Sequence, residues 1–206
     1  PGQGVSIVGT SLLNNLITKD CVLEPLGLGF VIPTVNEYWM RMLPNTGGGS
    51  INLRWLVELL YQDHANPYET LDQDVAGVEP GASGVMYHPY ISPAGVVAPF
   101  YHLGARAQFT GLHMEAGRAE MARAVIEGLA FAICDCYGAA PTALSEVRLS
   151  GGAARSAQLC QTVADVLGKP VTLTEGEEAG ARGAAIVAAA GVGLFDSVNA
   201  AADQFV

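Results

Sequence analysis

The chain has 206 residues, of which 50% are hydrophobic and 15% are charged, and this is enough apolar material for one domain with a full core. Ten basic residues against twenty acidic ones give a net charge of −10, and no Lys/Arg cluster could follow a phosphate backbone, which argues against a nucleic-acid partner. The most apolar stretch, residues 183–193, is about half the ~20 residues that a membrane span needs, so no membrane partner is expected.

The N-terminal quarter predicts a meander of strands joined by turns. Three stretches have the apolar pattern of strands, at 5–9, 27–31 and 38–43. The paired asparagines Asn14–Asn15 and the stretch 21–25 mark turns or further short strands between the first two.

The segment P-N-T-G-G-G-S then breaks the regular pattern, and a helix is predicted to follow it over 51–61. Ser50 stands where a serine side chain caps a helix. Trp55 belongs to the apolar stripe of this helix, so we expect it in the core. Residues 62–84 are polar, acidic and poor in periodicity, which predicts an insertion on the rim of the domain.

The second half of the chain alternates helices and strands. Its predicted elements are a strand within 84–91, a long helix over 117–137, a strand at 147–149, a helix over 156–167, an edge strand at 171–173 and a helix over 180–190. Strands first, followed by alternating helices and strands, indicate an α/β domain.

Two glycines follow the predicted strand at 147–149, in the segment E-V-R-L-S-G-G-A-A-R-S. Because Gly151 and Gly152 carry no Cβ, a flat base or a ribose can approach the main chain there, with N–H groups of the following turn pointing outward. Arg155 and Ser156 are placed to add polar contacts. A tight strand-to-helix turn that needs glycine only for its backbone is the competing interpretation.

A longer segment, A-Q-F-T-G-L-H-M-E-A-G-R-A-E-M-A-R-A-V-I-E-G-L-A-F at 107–131, resembles the second signature of the FGGY carbohydrate kinases, which include glycerol kinase and xylulokinase. The positions that match, with the family's spacing, are Ala107, Phe109, Gly111, Leu112, Glu120, Met121, Ala124, Val125, Ile126 and Glu127. The segments S-G-G-A-A-R-S, A-D-V-L-G-K-P-V and E-A-G-A-R-G-A-A-I-V-A-A-A follow in the family's order, so the resemblance covers most of the chain.

The resemblance implies a ribonuclease H-like, actin-like ATPase domain, the C-terminal lobe of a two-lobe sugar kinase. Residues 1–206 would form its nucleotide-binding domain, with the N-terminal substrate and catalytic lobe absent. In the family a turn like Gly9-Thr10-Ser11 opens this domain, and the catalytic aspartate lies upstream of it. No catalytic residue is therefore expected in the chain, and part of its apolar surplus is expected to face the absent lobe.

The family also implies where a nucleotide binds. MgATP would lie between the lobes, with its adenosine against residues 151–156 and Gly111 and its phosphates toward Thr10. The implied cofactors are ATP and Mg²⁺, and the implied partners are the N-terminal lobe and a small sugar or polyol. The alternative for both Thr10 and Gly111 is an ordinary structural role in a turn. Threonine at the end of a strand and Gly-Leu before a helix are both common where one element ends and the next begins.

Other features complete the expectations. The four cysteines show no disulfide or metal-ligand pattern, so we expect reduced thiols in a cytoplasmic protein, and a homodimer is an assembly to test. The four histidines have no catalytic spacing. Glu115 and Glu120 are expected to stabilise the start of a helix through its dipole, and no metal site is predicted.

The chain departs from the family at two places. Gly95-Val96-Val97-Ala98-Pro99 stands where many members have G-E-R-x-P, so either the valines simply pack or the lost Glu-Arg pair affects the active conformation. Leu159 replaces the usual tryptophan, which suggests altered packing. Two rival functions are a non-catalytic nucleotide sensor or scaffold of the same fold, and a ribonuclease H-type nuclease, which would need carboxylates at strand ends that here hold Gly, Thr and Ser.

Overall fold

The computed structural model describes residues 2–34, 37–173 and 179–205. The strands in these ranges are β1 (Gln3–Val8), β2 (Leu12–Thr18), β3 (Phe30–Pro33), β4 (Trp39–Asn45), β5 (Met86–His88), β6 (Gln108–Thr110), β7 (Glu146–Ser150) and β8 (Val171–Leu173). The α-helices are α1 (Ile51–Leu60), α2 (Pro67–Ala76), α3 (Arg118–Ala139), α4 (Ala157–Leu167), α5 (Ala179–Gly191) and α6 (Val198–Phe205). Short 3₁₀ turns lie at Ala82–Gly84 and Gly152–Arg155.

One mixed sheet with the strand order β3-β4-β2-β1-β7-β8 organises the domain. The first four strands pair antiparallel, whereas β7 runs parallel to β1 and β8 runs parallel to β7. The register pairs Ile7 with Ser150, so the carboxyl ends of β1 and β7 meet at the same edge. The turns that follow these two strands are therefore neighbours, although they are far apart in the sequence.

The core lies between the sheet and the helices α3 and α4. Ile126, Leu129 and Ile133 recur at a spacing of three and four residues along α3, which places them on one buried face. They belong to the same hydrophobic cluster as Leu149 of β7 and Leu159 of α4. Leu159 is fully buried, so the position that the family fills with tryptophan is packed here by a smaller side chain.

The paired asparagines lie in a strand, which was one of the two predicted alternatives, and not in a turn. Asn14 and Asn15 lie inside β2, which pairs with β1 on one side and with β4 on the other. The Ser6 hydroxyl donates a hydrogen bond to Asn14 Oδ1 at 2.8 Å, and the Tyr137 hydroxyl lies 2.9 Å from Ser6 Oγ. The buried hydrogen bond to Asn14 Oδ1 is a tertiary contact, and it favours the strand over the turn that paired asparagines otherwise adopt.

The prediction of a rim insertion at 62–84 was wrong, because this stretch contains the helix α2. Leu71 and Val75 of α2 are buried one turn apart in the main hydrophobic cluster. Asp74, on the same helix, accepts hydrogen bonds from the Tyr61 hydroxyl at 2.9 Å and from Arg118 Nε at 2.8 Å. Burial, followed by the Asp74 carboxylate, raises the pKa of the Tyr61 hydroxyl above its ordinary value, so the hydroxyl stays a donor at neutral pH.

Smaller differences concern helix ends. Ser50 lies at the start of α1 as predicted, but its side chain makes no capping hydrogen bond.

The C-terminal helix α6 was not among the predicted elements. Among the described residues, no helix has the length and apolar character to cross a membrane.

Candidate functional site

A cavity of about 620 Å³ lies at the edge where β1 and β7 end. Four segments line it: the turn after β1, the start of α1, one face of α2, and the turn after β7. The parallel pairing of β1 with β7 brings the first and last of these together. A cavity of this size can hold a nucleotide or another ligand of similar dimensions.

Four residues that the sequence indicated as nucleotide-binding lie together in this lining: Thr10, Gly152, Arg155 and Ser156. Thr10 follows β1, whereas the other three follow β7. The expected helix does not start directly after the glycines, because the 3₁₀ turn Gly152–Arg155 intervenes and α4 begins at Ala157. The main chain that faces the cavity is therefore that of a short 3₁₀ turn and not that of the first turn of a helix.

The two glycines of this turn meet different requirements. Gly151 has φ +93°, and a Cβ there would lie 2.8 Å from the carbonyl carbon and oxygen of Val8. Its lack of a side chain therefore lets the end of β1 approach. A Cβ at Gly152 would meet no heavy atom within 4 Å, so this residue leaves open space on the cavity side.

Ser156 has two structural partners in addition to its place in the lining. Its Oγ accepts a hydrogen bond from the backbone N–H of Leu159 at 3.1 Å and so caps α4. The same hydroxyl donates to Asp72 Oδ1 of α2 at 2.7 Å. The hydroxyl proton of Ser156 is therefore already used in the hydrogen bond to Asp72. The second carboxylate oxygen of Asp72 is the acceptor that Ser156 and Asp72 together can offer to a ligand.

Gly111 is not among the residues that line the cavity. It follows β6 with φ +75°, and a Cβ there would collide with the carbonyl oxygen of Gly84. This close approach of the Gly84 backbone requires glycine at position 111 whether or not a ligand binds there. Contact between Gly111 and a nucleotide stays a prediction.

Sequence reasoning missed the wall formed by the start of α1. The loop Gly47–Gly49 leads into this helix and packs against the turn after β1, where a Cβ at Gly49 would collide with the carbonyl oxygen of Thr10. The Ser50 N–H donates a hydrogen bond to the carbonyl oxygen of Gly9 at 2.7 Å. The run of three glycines was the available signal, and it was treated only as a break between elements.

The wall formed by α2 was also missed. Tyr68, Glu69 and Asp72 face the cavity from this helix. A helix start was visible in the sequence, since Asn66-Pro67 places proline at the first helical position and Leu71 and Val75 are four residues apart. With only these two apolar positions the periodic signal was weak.

Charges of both signs border the cavity. Arg54 and Arg155 bring guanidinium groups, which suit phosphate oxygens, while Glu69 and Asp72 bring carboxylates. Within the described ranges, no three His, Cys, Asp or Glu side chains form a group able to hold a metal ion.

Three residues that the sequence analysis considered have structural roles. Glu120 accepts a hydrogen bond from the Gly117 N–H at 2.8 Å at the start of α3, as expected. Trp55 packs against the core and stacks on Tyr87, with ring centroids 6.3 Å apart. Val96 is fully buried and forms a β-bridge with His102, which supports the interpretation that the valines in place of the Glu-Arg pair pack.

Comparison with known proteins identifies relatives along nearly the whole chain. The family model described as "FGGY family of carbohydrate kinases, C-terminal domain" matches residues 4–192. The erythritol kinase of Brucella abortus (strain 2308) is 34% identical over 96% of this chain and 40% of its own length. The gluconokinase of Bacillus subtilis (strain 168) is 28% identical over 98% of this chain and 41% of its own.

Solved structures show the same fold. The ligand-bound xylulose kinase from Lactobacillus acidophilus superposes with a TM-score of 0.84 at 24% identity, over 99% of this chain and 41% of that one. The xylulose kinase from Rhodospirillum rubrum gives a TM-score of 0.75 at 28% identity, over 94% and 39%. The predicted ribonuclease H-like, actin-like ATPase fold is thereby confirmed, and the chain spans about two fifths of the length of these relatives.

Proposed function

Since this chain belongs to the FGGY family of carbohydrate kinases, we propose that it is the ATP-binding C-terminal domain of a kinase that phosphorylates a hydroxyl of a small sugar or polyol. One observation carries the proposal. Residues that follow β1 and β7, chosen from the sequence for nucleotide binding, lie together in the lining of one cavity of about 620 Å³. The parallel pairing of the two strands brings these residues together.

The proposed orientation follows from the two ends of the cavity. The open backbone at Gly152 admits the flat base and the ribose, and Asp72 offers an acceptor to a base that carries an amino group. The phosphates extend toward Thr10 and the start of α1, where the first-turn N–H groups and the helix dipole favour negative charge. Mg²⁺ enters with the phosphates and is held mainly by their oxygens and by water.

The chemistry of phosphoryl transfer is completed by the N-terminal lobe. In the family's arrangement an aspartate of that lobe accepts the proton from the substrate hydroxyl, while this domain positions the nucleotide and neutralises its charge. Closure of the two lobes excludes water and limits ATP hydrolysis. The 206 residues are therefore proposed as a domain fragment that is inactive as a kinase by itself.

A polyol is the favoured substrate class. Erythritol, in the name of the 34% identical relative, is a four-carbon polyol. The segment P-Y-I-S-P-A-G-V-V-A-P-F at 89–100 is similar to those of tetritol and pentulose kinases; a tetritol is a four-carbon polyol, whereas a pentulose is a ketose sugar. We place the protein in the cytoplasm, in keeping with its free cysteines, and a homodimer stays a prediction that sedimentation can test.

The experiment begins with binding. Isothermal titration of the chain with ATP and Mg²⁺ should show binding, and Gly152→Val should abolish it by filling the open space at the turn. Gly138→Val is the matched control, because Gly138 also has no heavy atom within 4 Å of its Cβ position but does not line the cavity. Equal binding by the Gly152 variant and the wild type would remove the cavity assignment.

The second step tests the kinase. The chain joined to the region that precedes it in the full-length protein should phosphorylate a polyol with ATP, and replacement of the aspartate in that region should stop the reaction. Retention of ATP binding with no phosphorylation of any sugar or polyol would favour a nucleotide sensor instead. Robust kinase activity of residues 1–206 alone would show that a catalytic base lies within this chain.

A further inference from the structure

Asn52, in the first turn of α1, is fully buried and bonds back onto the loop that precedes its helix. Its amide nitrogen donates one hydrogen bond to the carbonyl oxygen of Gly47 and another to that of Gly49, both at 2.8 Å. Both protons of the side-chain amide are therefore used on one short loop.

This loop is fixed between two parts of the domain. On one side Gly49 contacts the turn after β1, and Ser50 donates to the Gly9 carbonyl. On the other side a Cβ at Gly47 would lie 2.8 Å from Cα of Tyr90. The position of the loop therefore determines where the turn after β1 and the first turn of α1 lie, and both of these line the cavity.

Tyr87 holds Asn52 in turn. Its hydroxyl donates a hydrogen bond to Asn52 Oδ1 at 2.9 Å, which fixes the orientation of the amide. The Tyr87 ring packs on Phe109 with centroids 4.6 Å apart and stacks on Trp55. Burial raises the pKa of this hydroxyl above its ordinary value, so it keeps its proton at neutral pH.

We propose that Asn52 and Tyr87 are positioning residues for the phosphate end of the nucleotide, which they control through the loop Gly47–Gly49. Neither side chain lines the cavity, so neither touches the ligand. The inference rests on the proposed function and adds to it which residues place the phosphate-binding backbone. It implies that their loss affects the phosphates and spares the nucleoside.

The test compares ATP, ADP and adenosine as probes, using calorimetry and ligand-observed NMR on the 206-residue chain. Asn52→Asp keeps the shape of the side chain but removes both donated hydrogen bonds and sets a carboxylate against two carbonyl oxygens. We expect ATP and ADP affinity to fall on the order of tenfold, which corresponds to about 1.4 kcal/mol, with adenosine affinity unchanged. Tyr87→Phe, which leaves the ring contacts in place, should act in the same direction by a few-fold.

Asn14→Asp is the matched control. Asn14 is as fully buried as Asn52 and its side chain is also hydrogen-bonded, but it lies within the sheet and not against the glycine loop. This variant should lose stability without changing the ratio of ATP to adenosine affinity. All measurements are made at a temperature at which circular dichroism shows each variant to be folded.

The outcomes separate the two proposals. If the wild type binds none of the three probes, the proposed function fails, and this inference fails with it. If the wild type binds ATP while Asn52→Asp loses ATP and adenosine equally, or loses neither, only the positioning role is overturned. Should Asn52→Asp not fold, an unchanged ATP-to-adenosine ratio in Tyr87→Phe gives the same negative answer.

Discussion

Two glycine turns border the cavity, and they differ in what glycine does there. In the loop that leads into α1, the missing side chain of Gly49 is needed because the backbone of Thr10 lies against it. In the turn after β7, the missing side chain of Gly151 likewise makes room for the end of β1. Of Gly49, Gly151 and Gly152, only Gly152 faces open space. A glycine beside a cavity is thus often required by the packing of the protein itself, and only the open position gives direct support to a ligand.

Gly49→Ala should be the most damaging of the simple substitutions that test this difference. Its methyl group would collide with main-chain atoms of Gly9 and Thr10, which cannot rotate away. We expect the free energy of unfolding to fall by about 3 kcal/mol, measured by urea denaturation. Gly183→Ala in α5 is the control, because its Cβ meets nothing within 4 Å and alanine favours a helix interior. A loss below about 1 kcal/mol at Gly49 would show that the loop moves freely.

Gly151→Ala should rank second, with a loss of about 2 kcal/mol that combines an unfavourable positive φ with the contact to Val8. Gly168→Ala is the reference for an ordinary left-handed backbone, since Gly168 has φ +58° and ψ 34° and no neighbour within 4 Å of its Cβ position. Gly151 has ψ 171°, a conformation essentially restricted to glycine, so its excess loss over Gly168 combines this backbone conformation with the close approach of β1. Equal losses at both positions would show that neither adds to the cost of an ordinary left-handed residue.

Ser156→Ala should cost about 1 kcal/mol, because it removes the cap of α4 and the hydrogen bond to Asp72. Ser197→Ala is a suitable comparison, since Ser197 Oγ accepts a hydrogen bond from the Ala200 N–H at the start of α6. Thermal unfolding of both variants, together with a Ser156/Asp72 double-mutant cycle, isolates the bond across the cavity. A coupling energy of zero would mean that the hydrogen bond between Ser156 and Asp72 does not contribute to holding α2 against the turn after β7.

Gly152→Ala should have the smallest effect on stability, within about 0.5 kcal/mol, because its methyl group contacts nothing. It should nevertheless weaken ATP binding several-fold, since the methyl group occupies space meant for the ligand. Calorimetry and urea denaturation of the same preparation give both numbers. A stability loss as large as that of Gly151→Ala would contradict the distinction between the two glycines.

The sequence was sufficient to predict the elements whose signal is a local, periodic pattern of apolar residues. The apolar patterns of β1, β7, α3 and α4 located these elements within a few residues, because burial on one face leaves a regular period. The sequence left a turn and a strand open at Asn14, because the residue that settles the choice, Ser6, is itself hydrogen-bonded to Tyr137 of a distant helix. No local pattern carries such information.

The candidate site shows the same limit. Thr10, Gly152, Arg155 and Ser156 were found because strand-end turns have recognisable residues and a family resemblance reinforced them. The α2 wall was missed, since Asp74 is fixed by Tyr61, which follows α1, and by Arg118 at the start of α3. Asn52 was missed because an asparagine in the first turn of a helix looks like an ordinary surface residue until its burial is known.

The parallel pairing of β1 with β7 has a consequence for the order of assembly during synthesis. Glu146 of β7 lies beside Gln3 of β1 but is 143 positions later in the chain. At ribosomal rates, β1 waits on the order of 10 s with one edge unpaired before its neighbour emerges. The growing polypeptide thus presents an exposed strand edge, which is a template for wrong pairing with another chain, until the last third of the domain is made.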